Sequence, residues 1–151
     1  MYLLDVQPFL DLVGGGQNVM QKWAATIPPR NVFASSVAVG LAEYTIDALP
    51  AAQRTGWRRR LVVAKTEFEL RTFDFTVQDA QVWASDVLPL DLNDVDEDGQ
   101  SYPLDRSVQM ISAQALQRRF ILVTHARAYH DVLKARTRLE ILDPGYDEAD
   151  A

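Results

Sequence analysis

Three groups of side chains have types and spacings that could do chemistry. The first is Asp94-x-Asp96-x-Asp98-Gly99, closed by Asp105, which puts acids at positions 1, 3, 5 and 12 of an EF-hand-like register with glycine at position 6. Converging oxygens of this kind would hold a hard cation such as Ca²⁺ or Mg²⁺. Three features oppose that reading: the last acid is Asp rather than the longer Glu, Ser101 takes a usually apolar place, and Pro103 lies inside the loop. The same string also reads as a solvated acidic loop. The second group is Arg58-Arg59-Arg60, near Arg54 and Lys65 and beside Trp57. It reads either as a phosphate-binding patch with one stacking ring or as the solvated face of an amphipathic helix. The third is the histidine pair, His125 and His130, which no Ser or Cys nucleophile motif accompanies. The chain has no cysteine, which excludes disulfides, thiolate zinc sites and Cys nucleophiles. Gly14-Gly15-Gly16 lacks the Gly-Lys-Ser/Thr ending of a phosphate loop and reads as a joint between two helices.

The elements that must position these groups alternate. Met1–Asp5 reads as a strand, followed by a short helix to Val13, with Pro8 tolerated in its first turn. Asn18–Ala25 reads as helix and Asn31–Ser35 as strand. Helices follow over Val39–Ala48 and from Pro50 to Leu70, the second with Trp57, Leu61, Ala64 and Phe68 on one stripe. Arg71–Phe75 reads as a strand, and Thr76 with Asp79 reads as the cap of a helix over Val77–Leu88. Leu90–Tyr102 reads as an acidic loop and Arg106–Arg119 as a helix that Asp105 can cap. Phe120–Thr124 reads as a buried strand, Ala126–Ala135 as helix and Leu139–Leu142 as the last strand. Strands alternating with helices imply a mainly parallel sheet covered on both faces. In such sheets the site lies beyond the carboxyl ends of the strands, here at Asp5, Ser35–Glu43 and Thr124–Arg127.

Length and charge set the frame. The 151 residues suit one domain, expected over 1–144, with 145–151 an acidic tail. A net charge of −6 excludes a generally basic nucleic-acid coat but leaves room for a local basic patch. Asp5 and Asp11 interrupt the N-terminal apolar run, so no secretory signal is read. No stretch approaches the ~20 apolar residues of a membrane span, and a cytoplasmic protein is expected.

In this order the elements resemble the PIN-domain family, especially the VapC/FitB type of toxin nuclease. Leu3-Leu4-Asp5-Val6-Gln7 is similar to that family's opening strand and acid, and Val37–Glu43 to its second acidic segment. Val108–Ala115 resembles the helix that carries its third acid, and Phe120–Ala126 the strand leading to its fourth. The closing Leu139–Pro144 also fits.

The resemblance implies a PIN-like three-layer α/β sandwich and metal-ion hydrolysis of RNA. It further implies Mg²⁺ or Mn²⁺ as cofactor, an antitoxin protein as partner, and a homodimer. Carried over residue by residue, Asp5 and Glu43 become the catalytic metal ligands. The third acid falls on Val108 and the fourth on Ala126, so the site is depleted. Asp105, one turn before Val108, could supply a third metal ligand or could simply cap its helix. The loop acids Asp94, Asp96 and Asp98 could replace lost ligands near the site entrance. Arg58, Arg59, Arg60 and His125 would be RNA contacts. Two readings result: a toxin-type metal-dependent endoribonuclease, or a catalytically inactive PIN-like protein kept as a binding or regulatory module.

Overall fold

The computed structural model describes residues 1–146. The expected tail over 145–151 falls mostly outside the described residues. Five short strands form one parallel sheet: β1 (Tyr2–Leu4), β2 (Val32–Ser35), β3 (Thr72–Phe73), β6 (Ile121–Val123) and β7 (Glu140–Leu142). Their order is β3-β2-β1-β6-β7. β1 lies at the centre, with Tyr2 level with Val32 on one side and with Ile121 on the other. The apolar opening run explains this place. Leu3 and Leu4 are fully covered, as Leu122 and Val123 are in β6, and a strand covered on both faces favours uninterrupted apolar sequence.

The helices are α1 (Val6–Gly14), α2 (Val19–Ala24), α3 (Ser36–Asp47), α4 (Ala51–Glu67), α5 (Val77–Val82), α6 (Arg106–Arg118) and α7 (Ala128–Arg136). With the sheet between them they make the expected α/β sandwich. The chain leaves β1 towards β2 but leaves β6 towards β7, on the opposite side. The order therefore reverses between β1 and β6, the place where sheets of this kind form a crevice beyond the carboxyl ends.

Four expectations change in detail. α3 starts earlier than expected because Ser35 ends β2 and caps the helix, its hydroxyl accepting the Val37 N–H at 3.1 Å. The helix expected over Val77–Leu88 narrows to α5 and continues as one wide turn, Trp83–Val87. The strand expected over Arg71–Phe75 shortens to β3. The acidic loop is not an open loop: β4 (Asn93–Val95) and β5 (Ser101–Pro103) pair antiparallel across it. Gly99 sits at φ 78° in the hairpin turn, a conformation that suits glycine.

Polar side chains tie the layers together. Asp79 is fully covered; it closes the α5 capping box with Thr76 and pairs with Arg118 of α6 at 2.5 Å. Burial works against the Asp79 carboxylate, but Arg118 and the Thr76 N–H together hold its pKa below the ordinary value. Arg118 also lies over the Phe73 ring at 4.5 Å. Gln114, fully buried, bonds to the Ser35 hydroxyl and donates to the Phe73 carbonyl at 3.3 Å. One side chain of α6 thereby links the carboxyl ends of β2 and β3.

Candidate functional site

Asp5 follows β1 directly and stands at the crevice. Its carboxylate accepts the Val6 N–H at 2.8 Å, capping α1, and the Thr124 hydroxyl at 2.9 Å. Thr124 follows β6, so this bond spans the crevice where the strand order reverses. Asp5 is only 6 % exposed. Burial raises its pKa above the carboxylate value, against the opposing pull of the Val6 N–H and the Thr124 hydroxyl.

Around this point lie residues that the sequence did not single out. Asp143, just after β7, accepts the Ala126 N–H and the Gly145 and Tyr146 N–H groups, each at 2.8 Å. Burial opposes its charge, yet these three donors hold its pKa low. The Tyr146 hydroxyl donates to Asp11 at 2.6 Å, and its ring stacks on His125 at 5.1 Å. Tyr129 is buried beside Asp5, and burial drives its pKa up, with the Asp5 charge adding to the effect. A signal for Asp143 did exist: Asp-Pro-Gly is a turn signature placed at a strand's carboxyl end.

The other expected ligands lie elsewhere. Ala38, Ala42 and Ile46 form the buried stripe of α3. Glu43 stands off that stripe, exposed, and pairs with Lys65 of α4 at 2.5 Å. Asp105 is exposed and caps α6, accepting the Ser107 N–H at 2.9 Å and its hydroxyl at 2.7 Å. These two donors lower its pKa. Val108 is partly buried against the core, and the backbone of Ala126 is held by Asp143.

The loop acids Asp94 and Asp96 also have partners of their own. Asp94 accepts from the Arg127 side chain at 2.8 Å and from the Tyr102 hydroxyl at 3.1 Å. Asp96 folds back on the turn, accepting the Asp98 and Gln100 N–H groups at 3.0 and 2.8 Å. These acids serve the hairpin rather than a shared centre. Among the described residues, no group of three or more His, Asp or Glu side chains is placed to hold a metal ion.

The basic cluster is also divided. Arg58 pairs with Asp47 at 2.7 Å, Arg60 lies over Trp57 at 4.8 Å, and Arg59 is exposed. All three sit on α4.

A divalent ion of the Mg²⁺ or Mn²⁺ type takes about six oxygen ligands. At the crevice, Asp5 is buried and bonded to the Val6 N–H and the Thr124 hydroxyl, while Asp143 accepts three backbone N–H groups. The residues present do not fit such an ion. What the crevice offers instead is a buried carboxyl, a hydroxyl bridge and two aromatic rings.

No family model matches the sequence, and no curated protein matches it. Solved structures do. A chain of the structure of FitAcB from Neisseria gonorrhoeae superposes with a TM-score of 0.74 at 16 % identity, covering 97 % of this chain and 99 % of that one. A chain of VapBC2 from Rickettsia felis, bound to a DNA fragment from its promoter, gives 0.71 at 13 % identity, over 93 % and 96 %. A chain of VapBC-5 from Mycobacterium tuberculosis, a member of the VapBC family of toxin–antitoxin systems, gives 0.64 at 19 % identity, over 93 % and 95 %. Near-complete coverage on both sides, at this low identity, establishes shared architecture: the chain has the PIN fold of the FitB and VapC proteins.

Proposed function

We propose that this chain is a PIN-fold protein of the toxin–antitoxin kind that works by binding a partner protein and lacks the metal-dependent ribonuclease chemistry of that kind. The observation that carries the reading is that the expected ligands have partners of their own and that, among the described residues, no group of three acids is placed to hold a metal ion. Asp5 caps α1 in the crevice, Glu43 of α3 pairs with Lys65 of α4, and Asp105 caps α6. Two-metal phosphate hydrolysis needs carboxylates on a common centre to clamp both the attacking and the leaving oxygen. Fold alone does not carry function; the site does. The partner half of the reading rests on the similar structures, which are of FitAcB and VapBC. An antitoxin-type protein is the partner it names, and a homodimer the assembly.

Incubation of labelled RNA with the protein and Mn²⁺ tests the catalytic half. Wild type and Asp5→Ala should both leave the RNA intact. Mn²⁺-dependent cleavage that Asp5→Ala abolishes would restore the nuclease reading. The partner half is tested by co-expression with any small reading frame adjoining its gene, followed by size-exclusion chromatography. Co-elution supports it, whereas separate elution overturns it.

A further inference from the structure

A second cavity lies at the other end of the sheet, beside the amino ends of β6 and β7. Its volume is about 780 Å³, within the range of pockets that enclose small ligands or short chain segments. Leu90, Leu116 and Phe120 contribute an apolar floor, and Arg119, Arg136 and Arg138 stand around it. All three arginines are exposed. Among the described residues, no hydrogen bond or ion pair engages their guanidinium groups. Arg58, Arg71, Arg118 and Arg127 differ, since each donates to a carboxylate or carbonyl.

The backbone adds an independent argument. Arg119 ends α6 in the left-handed region at φ 57°. Glycine fits that position with less strain, and the strained arginine side chain is delivered to the cavity. Arg136 closes α7, and Arg138 lies two residues beyond it. Arginines at helix C-termini can offset the helix dipole by capping carbonyls; these three make no such bonds.

We propose that this cavity binds an acidic peptide segment of a partner protein, with an apolar anchor side chain set between its carboxylates. Guanidinium groups pair with carboxylates in two-pronged geometry, and the apolar floor receives the anchor. Asp86 and Glu140 also line the cavity. They repel any anion beside them, so a ligand must set its charges at the arginines with an uncharged side chain between, as an acidic segment with an apolar anchor does. The site is remote from Asp5 and stands whether or not the function proposed above holds.

Fluorescence anisotropy with a labelled peptide of sequence DELFED tests the assignment. The controls are the peptide KKLFKK, a 12-nucleotide oligo-U and the double variant Arg136→Ala/Arg138→Ala. The variant removes two exposed side chains, and its circular dichroism spectrum should match wild type. DELFED should bind with a Kd below about 1 mM, tighten as salt is lowered, and weaken about tenfold in the variant. KKLFKK should not bind, and oligo-U should not compete. Absence of DELFED binding, equal binding by the variant or by KKLFKK, or tighter binding of oligo-U would each overturn the proposal. The last outcome would make the cavity a nucleic-acid site.

Discussion

His130 should make the protein lose stability as pH falls from 7.5 to 5, and His130→Gln should remove that loss. The side chain is 1 % exposed. Its Nδ1 accepts the Arg127 N–H at 2.9 Å, and its Nε2 has no hydrogen-bond partner. Protonation would put a charge in the core and break the bond to Arg127. Burial first, and the Lys134 charge second, push its pKa from 6.5 down to about 4. The unfolded chain therefore binds a proton on His130 before the folded chain does. Stability is fully present above pH 6.5 and is lost as pH falls towards 4. At 1.36 kcal/mol per unit the full loss is on the order of 3 kcal/mol, of which about 2 kcal/mol is lost by pH 5. Asp5 acts in the opposite sense, because its raised pKa lets the folded state take up a proton as pH falls. The difference between wild type and His130→Gln cancels that contribution. Urea unfolding at pH 7.5, 6 and 5 gives the free energies. Wild type should lose about 2 kcal/mol more than the variant over this range. Parallel pH dependence in the two proteins would refute the reasoning.

Asp79→Asn should cost about 3 kcal/mol, because it leaves Arg118 unpaired over Phe73 and weakens the α5 cap; denaturant midpoints would measure the loss. Arg127→Ala should leave global stability nearly unchanged, within about 1 kcal/mol, since the Asp94 pair is partly exposed. It should nevertheless speed amide hydrogen exchange over residues 93–103, because Arg127 also holds the Val95 carbonyl at 2.8 Å. Gly14→Ala should destabilise by about 1–3 kcal/mol, since its new methyl group would meet the Trp57 ring at 2.8 Å; the melting temperature would report it.

Much of the architecture was legible because local pattern and tertiary place agree. The run Leu3-Leu4-Asp5 reads as a central strand and its end, and the structure covers both leucines completely. Thr76 and Asp79 read as a cap and form one, although no local pattern marks Asp79 as the partner of Arg118, 39 residues away. The hairpin was illegible for the same reason. Asp94 looks like a metal ligand beside Asp96 and Asp98, but its charged partner is Arg127, 33 residues distant. The pairing of Glu43 with Lys65 follows from helix phase. Once Ser35 caps α3, the buried stripe falls on Ala38, Ala42 and Ile46, and the next residue turns towards α4. Asp143 was passed over because its function depends on β7 lying beside β6, a pairing that no short motif records.

Isothermal titration of Mn²⁺ into the protein at pH 7.5 tests the central claim most directly. Scattered carboxylates predict no saturable heat into the low millimolar range, and no difference between wild type and Asp5→Ala. A saturable isotherm of one or two ions per chain, lost in Asp5→Ala, would contradict the account.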